Sequence, residues 1–266
     1  MNVILRSSRE EAVVRDQRLP LFTSGSPKSF AGPCFIIDQG AMPTVGSVLT
    51  SPDDAASVQV VSKFYWAEDS EDLPSIESCW VRILKDFHAD SLALPWTVAK
   101  QGYALAWVTL SDKGYVGARE DQAGPLIAEL VGGDLSVALV QGYLIPDDPR
   151  RLRSLLVGLA LEQQFDLVLT TGGTGVGPRD ITPETTLSVI EKRLPGMETA
   201  MLQTALLKTA HAVISRAVVG TLGQSLIINL PGSPKAVREN LGALLPALRH
   251  TLAKLQGDQS DCAQVC

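Results

Sequence analysis

The sequence predicts an α/β domain on a mostly parallel sheet with helices on both faces, preceded by a small β-rich domain. Two near-continuous apolar runs, Tyr103–Leu110 and 165–171, have the character of strands buried on both faces. From Tyr103 onward such runs alternate with stretches of helical spacing, as in a parallel sheet wound by crossover helices. Nine of the fourteen Phe, Trp and Tyr residues fall in the first 100 positions, which points to two units with different cores.

In the first unit, short apolar runs at 34–37, 45–49, 58–66 and 79–84 are separated by Gly, Pro, Asp and Ser clusters. Gln59, Ser62 and Lys63 interrupt the third run in the manner of a half-buried strand. This predicts a β-rich body over about 30–95, a loosely ordered charged stretch before it, and a boundary near Leu94-Pro95-Trp96. The domain limits are accordingly 1–98 and 99–256, with a polar tail over 257–266. After the first strand of the second unit, 125–131 reads as helix and 135–145 as strand. Asp148-Pro149 supplies an N-cap and first turn for a helix carrying Leu152, Leu155, Leu156 and Leu159. Thr182-Pro183-Glu184 opens another helix, with Leu187, Ile190 and Leu194 along one face. The segments 218–222 and Ser225–Leu230 form a hairpin around Gly223-Gln224. A last helix begins at Ser233-Pro234 and buries Val237, Leu241, Leu244, Leu245, Leu248 and Leu252.

Composition narrows the function. A 266-residue chain with 45% hydrophobic residues can build a sizeable core, whereas a formal charge of −6 argues against a nucleic-acid partner. Residues 1–10 lack the apolar core of a signal peptide, and no apolar stretch reaches the ~20 residues needed to span a bilayer. A cytoplasmic location is expected, without a membrane partner. Cys34, Cys79, Cys262 and Cys266 lack zinc-like spacing, and free thiols are expected.

Ligands of such sheets bind at the carboxyl ends of the strands. The richest loop there is Thr170-Thr171-Gly172-Gly173-Thr174-Gly175-Val176-Gly177-Pro178-Arg179-Asp180. Its glycines let main-chain N–H groups approach an anion, helped by the end of the helix that follows. The loop is neither a Rossmann nor a Walker sequence. Asp180 and Asp147 stand at the same sheet edge, and two carboxylates beside a phosphate site call for a divalent cation between them. Each also has a plain alternative: Asp180 as a partner of the helix dipole, Asp147 as a cap, although Asp148 is better placed for that. Ser111 and Asp112, after the first strand, either bind a ligand or form a turn. Asn229-Leu230-Pro231-Gly232-Ser233-Pro234 offers a further helix N-terminus to an anion, although taken alone it reads as an ordinary strand–turn–helix junction.

In this order, Ser111-Asp112, Glu120-Asp121, Ile145-Pro146-Asp147, TTGGTG at 170–175, PRDITPE at 178–184, Ser215-Arg216 and NLPGS at 229–233 resemble the MogA/MoaB-like molybdopterin-binding family. The resemblance spans about 103–255. It implies a three-layer αβα fold, a homotrimer, and adenylylation of molybdopterin by ATP with Mg²⁺, which releases pyrophosphate. It places Asp147 and Asp180 as catalytic and metal-holding residues. It assigns ligand contacts to Ser111, Asp112, Thr171, Gly172, Gly173, Thr174, Gly175, Glu184, Ser215, Arg216, Pro231, Gly232 and Ser233. The implied partners are the small-molecule substrates and the molybdenum-insertion enzyme. A non-catalytic molybdopterin carrier or scaffold is the alternative reading of the same pocket. Ala123-Gly124 replaces the Ser-Gly of many relatives, and Pro149 stiffens the segment after Asp147. Residues 1–98 resemble no family, and the choice between molybdenum and tungsten stays open.

Overall fold

The computed structural model describes residues 2–23, 30–67, 75–89 and 91–259, which form two compact units with their boundary between Gln101 and Gly102. Cys262 and Cys266 lie outside the described residues.

The first unit has strands β1 (Asn2–Ser7), β2 (Glu11–Val13), β3 (Arg18–Thr23), β4 (Phe35–Gln39), β5 (Val48–Thr50), β6 (Ser57–Trp66), β7 (Ile76–Ile83), β8 (Phe87–Ala89) and β9 (Leu94–Ala99). Seven of them close a barrel in the order β1-β4-β3-β7-β6-β5-β9, while β2 and β8 form a separate ribbon. Closure comes from antiparallel pairing of β1 with β9, Asn2 opposite Thr97 and Leu5 opposite Leu94. Alternate residues Val3, Leu5 and Ser7 point inward and are buried, whereas Arg6 pairs outside with Asp38 at 3.0 Å. The expected loosely ordered N-terminus is therefore replaced by the strand that seals the barrel. Charge at Arg6, Arg9, Glu10 and Glu11 conceals its period-2 burial. The expected boundary at Leu94-Pro95-Trp96 likewise falls inside the closing strand β9, and the first unit runs on to Gln101.

The second unit contains β10 (Tyr103–Leu110), α1 (Asp112–Tyr115), α2 (Ala123–Asp134), β11 (Val137–Ile145), α3 (Pro149–Val157) and β12 (Leu167–Thr171). It continues with α4 (Thr182–Leu187), β13 (Lys192–Arg193), α5 (Pro195–Leu206), β14 (Val219–Leu222), β15 (Ser225–Leu230) and α6 (Pro234–Leu255). The sheet order is β11-β10-β12-β15-β14-β13. The first four strands run parallel, and β14 is antiparallel to both neighbours, so the sheet is mixed. Every residue of β12 and β15 is buried, as expected of central strands covered on both faces.

Two helices carry most of the packing on one side. α2 contributes Ile127 and Val131, and α6 contributes Val237, Leu241, Leu244, Leu248 and Leu252, all within one core with Leu105, Leu169 and Ile228. Pro246 falls on the exposed side of α6, away from this buried stripe. Asp121 starts α2: its Oδ1 accepts from the amides of Ala123 and Gly124 at 3.1 and 2.9 Å. The hydroxyl missing at Ala123 therefore costs this junction nothing.

One helix differs from expectation. The helix opened by Thr182 stops at Leu187, and Ile190 and Leu194 do not continue it. Pro195 disfavours helical backbone at Leu194 and begins α5 instead, a helix absent from the sequence reading.

Candidate active site

The carboxyl ends of β10, β11, β12 and β15 gather the loops around Ser111, Asp147, Gly172 and Gly232. They border a polar cavity of about 840 Å³. Ser111, Asp112, Asp147, Thr171, Gly172, Gly173, Asp180, Gly232 and Ser233 line it. The remaining expected contacts, Thr174, Gly175, Glu184, Ser215, Arg216 and Pro231, line a second cavity of about 620 Å³. The glycine loop is the wall between them, a division that linear spacing does not reveal.

The loop is held almost wholly by its carbonyl groups. Gly172 O accepts from Thr182 Oγ1 at 2.8 Å and Gly173 O from Thr182 N at 3.1 Å. Thr174 O accepts from Arg216 N at 3.0 Å and Gly175 O from Arg216 Nε at 2.7 Å. By contrast, the amides of Gly173, Thr174, Gly175 and Val176 donate to no acceptor among the described residues. Carbonyls tied behind and amides left open make a concave row of donors, the arrangement that receives an anion. Gly172 and Gly173 adopt φ of +99° and +64°, and a Cβ on Gly173 would come within 2.6 Å of Thr182 Oγ1. The conformation that opens the amides is thus reserved for glycine. The expected help from the following helix is corrected: α4 has six residues and contributes little dipole. The 22-residue α6, with Ser233 as N-cap, presents its positive end at Gly232-Ser233 on the rim of the larger cavity.

Five carboxylates line the polar cavity, and three of them, Asp112, Asp147 and Asp180, act on one another. Asp112 N donates to Asp147 Oδ2 at 3.3 Å, and Asp147 N returns a bond to Asp112 Oδ1 at 3.1 Å. Asp180 Oδ2 accepts from Gly177 N at 2.7 Å, which fixes the turn that leads out of the glycine loop. Arg179 donates to Asp112 Oδ2 from Nε at 3.1 Å and Nη2 at 2.6 Å. That guanidinium, with the Asp147 amide, holds the Asp112 carboxyl below the usual range. Burial pushes Asp147 up, and the charges of Asp112 and Asp180 push it the same way against the pull of Arg179. The ionised form of Asp147 is therefore disfavoured. Among the described residues, no three His, Cys, Asp or Glu side chains form a ready-made metal cage.

Several expected ligand contacts also have structural tasks. Ser111 Oγ accepts from Gly114 N at 3.0 Å, Ser233 Oγ from Ala236 N at 3.2 Å, and Thr171 Oγ1 donates to Pro231 O at 2.8 Å. Arg216 is the most committed. Besides its two bonds to the glycine loop it donates from Nη2 to Asp180 O at 3.0 Å, and it pairs with Glu184. Arg179, by contrast, escapes sequence reasoning, since its partner lies 67 residues away.

Residues 106–250, all in the second unit, match a family model described as "Probable molybdopterin binding domain". The chain is 41% identical over 152 residues to the molybdopterin adenylyltransferase of Helicobacter pylori (strain J99 / ATCC 700824), covering 57% of this chain and 86% of that protein. It is 38% identical over 138 residues to the enzyme so named in Escherichia coli (strain K12), covering 52% and 71%. The gephyrin of Dictyostelium discoideum is 40% identical over 162 residues, but this chain spans only 22% of that protein and 58% of itself is covered. Among solved structures, the molybdopterin biosynthesis enzyme MoaB of Thermus thermophilus superposes with a TM-score of 0.54 at 41% identity, covering 59% of this chain and 98% of that one. A MogA structure gives 0.54 at 35%, covering 57% and 99%.

Proposed function

Because the chain belongs to the molybdopterin-binding domain family, we propose that its second unit is a molybdopterin adenylyltransferase of molybdenum cofactor biosynthesis. In this reaction a terminal phosphate oxygen of molybdopterin forms a bond to the α-phosphorus of ATP. The bond from that phosphorus to the bridging oxygen breaks, and pyrophosphate leaves. No protein nucleophile takes part, so the chain's contribution is to place two polyanions together and offset the charge that builds between them.

The open amides of Gly173, Thr174, Gly175 and Val176 carry this reading. They belong to the loop that divides the two cavities, Gly173 lining one and Thr174 and Gly175 the other, and the loop's tied carbonyls fix them before substrate arrives. We assign the nucleotide to the polar cavity, beside the carboxylates, and the pterin to the less polar cavity beyond the loop. Both phosphate ends then reach one set of donors. Asp147 and Asp180 suit Mg²⁺, which uses one or two carboxylates together with substrate oxygens and water and needs no all-protein cage. The bound ion supplies neutralisation of the phosphate oxygens. Asp147, with the carboxylates of Asp112 and Asp180 beside it, is the better ligand; Asp180 also braces Gly177.

The same reading implies a homotrimer. Leu206 at the end of α5, with Leu207, Val213 and Ile214 after it, gives a second copy an apolar surface, Leu207 and Val213 being 85% and 69% exposed. It further implies a cytoplasmic site of action, where ATP is supplied, and an insertion enzyme that consumes the adenylylated product. No helix among the described residues is long and apolar enough to cross a membrane.

The test is incubation of the full chain with molybdopterin, ATP and Mg²⁺, with pyrophosphate and adenylyl-molybdopterin measured. Asp147→Asn and Asp180→Asn should each lower the rate by about 10²-fold or more, if each carboxylate supports several kcal/mol of charge stabilisation. Unchanged turnover in both variants refutes the assignment. Tight molybdopterin binding without turnover in the wild-type protein makes it a carrier.

A further inference from the structure

The adenylyltransferase reading leaves Arg179 without a task, and the following inference rests on that reading. Arg179 is the one cation hydrogen-bonded to the carboxylates of the polar cavity among the described residues, and its side chain is 64% exposed. Arg216 is tied to the backbone carbonyls of Gly175 and Asp180 around the glycine loop, whereas the Arg179 side chain bonds, among the described residues, only to a carboxylate. Asp112, its partner, exchanges amide-to-carboxylate bonds with Asp147, so a charge on Asp112 is felt directly at the proposed cation ligand.

We propose that Arg179 is an exchangeable counterion: without ligand it neutralises Asp112, and when the nucleotide enters it turns from that carboxylate to a phosphate. The geometry favours exchange over permanent pairing. Arg179 is followed directly by Asp180, and the Asp180 carbonyl is held by Arg216 while its carboxylate is held by Gly177 N. The backbone beneath Arg179 is thereby anchored while the side chain stays in solvent. Arg179 and Gly173, whose amide is open, also line the same cavity. A forked, always-charged donor suits either acceptor, carboxylate or phosphate. Release of Asp112 at the moment of entry adds a third carboxylate to the cation's surroundings, and the site then holds Mg²⁺ best when nucleotide is present. Arg179 acts here as a positioning residue, by controlling which acceptors are free.

This assignment predicts effects of opposite sign from one substitution. In Arg179→Met the competing charge is gone, so Mn²⁺ alone, measured on the full chain by electron paramagnetic resonance, should bind about two- to fivefold more tightly. The same variant should bind a non-hydrolysable ATP analogue about tenfold or more weakly, having lost a charge-assisted bond to phosphate. Arg179→Lys should return Mn²⁺ affinity to near the wild-type value, while recovering nucleotide affinity only in part. A purely structural role moves both affinities in the same direction, and that result, or unchanged Mn²⁺ affinity, overturns the exchange. Wild-type protein that binds neither Mn²⁺ nor the analogue overturns the adenylyltransferase reading together with it. Binding of both, with parallel losses in Arg179→Met, overturns the exchange alone.

Discussion

Substituting Gly173 by alanine puts a methyl group where the loop has no room for one. At φ of +64° an alanine carries the left-handed penalty of about 1–2 kcal/mol. Its Cβ would also stand 2.6 Å from Thr182 Oγ1, a fully buried hydroxyl that donates to Gly172 O at 2.8 Å. Displacing that hydroxyl leaves a buried carbonyl unpaired, at a cost of about 1–3 kcal/mol. Alanine stiffens the unfolded chain by about 0.4–1 kcal/mol in compensation, for a net loss of about 1–5 kcal/mol. Urea unfolding followed by helical circular dichroism measures this, because helices among the described residues occur only in the second unit. The decisive comparison is a double-mutant cycle with Thr182→Ala. Removing the hydroxyl abolishes the clash, so the pair should be less destabilising than the two singles added, by about 1 kcal/mol or more. Additivity within about 0.5 kcal/mol refutes the steric account of the loop.

Other expectations follow from the same contacts. Arg216→Ala frees the carbonyls of Gly175 and Asp180 together, and kcat/KM should fall about 10²-fold through misplacement of the loop; Arg216→Lys should restore little, since an ammonium cannot replace the fork. Asp148→Ala should lower the melting temperature by about 2–4 °C, because Asp148 Oδ1 caps α3 through the amides of Arg150 and Arg151. Those amides, Arg151 first, hold the Asp148 carboxyl below its ordinary value. Its contribution is therefore complete above the normal aspartate range and disappears as pH falls through the depressed value, so the wild-type and Asp148→Ala melting temperatures should converge in acid. Burial pushes the Cys79 thiol far up. Peptide mapping after iodoacetamide treatment near pH 8 should find Cys79 unlabelled until denaturant is added.

What the sequence disclosed depended on range. β12 and β15 are apolar throughout and betray themselves locally, as do the Asp148-Pro149 and Ser233-Pro234 helix starts. α5 stayed hidden because its first turn lies behind Pro195 and its burial is confined to Met201 and Ala205, which gives weak periodicity. The barrel's first strand was masked by flanking charge, and its closure depends on Asn2 meeting Thr97, a pairing no local pattern announces. At the site, the glycine loop and both aspartates stood out by composition. The use of the loop's carbonyls did not, for Arg216 lies 41 residues from Gly175. Nor did the Arg179–Asp112 pair, or the split of expected ligand contacts between two cavities.

The sealing of the barrel by β1 against β9 has a bearing on biosynthesis. Of the barrel strands, the first to leave the ribosome must wait for the last, about 90 residues later, or roughly 5–20 s at ordinary elongation rates. During that interval β1 has β4 on one side and a bare row of backbone donors and acceptors on the other. Nascent chains held at such a stage are open to pairing with one another. A translational pause before β9 has left the ribosome lengthens that exposure, whereas a pause once β9 has emerged lets the barrel finish before the α/β sheet begins to assemble.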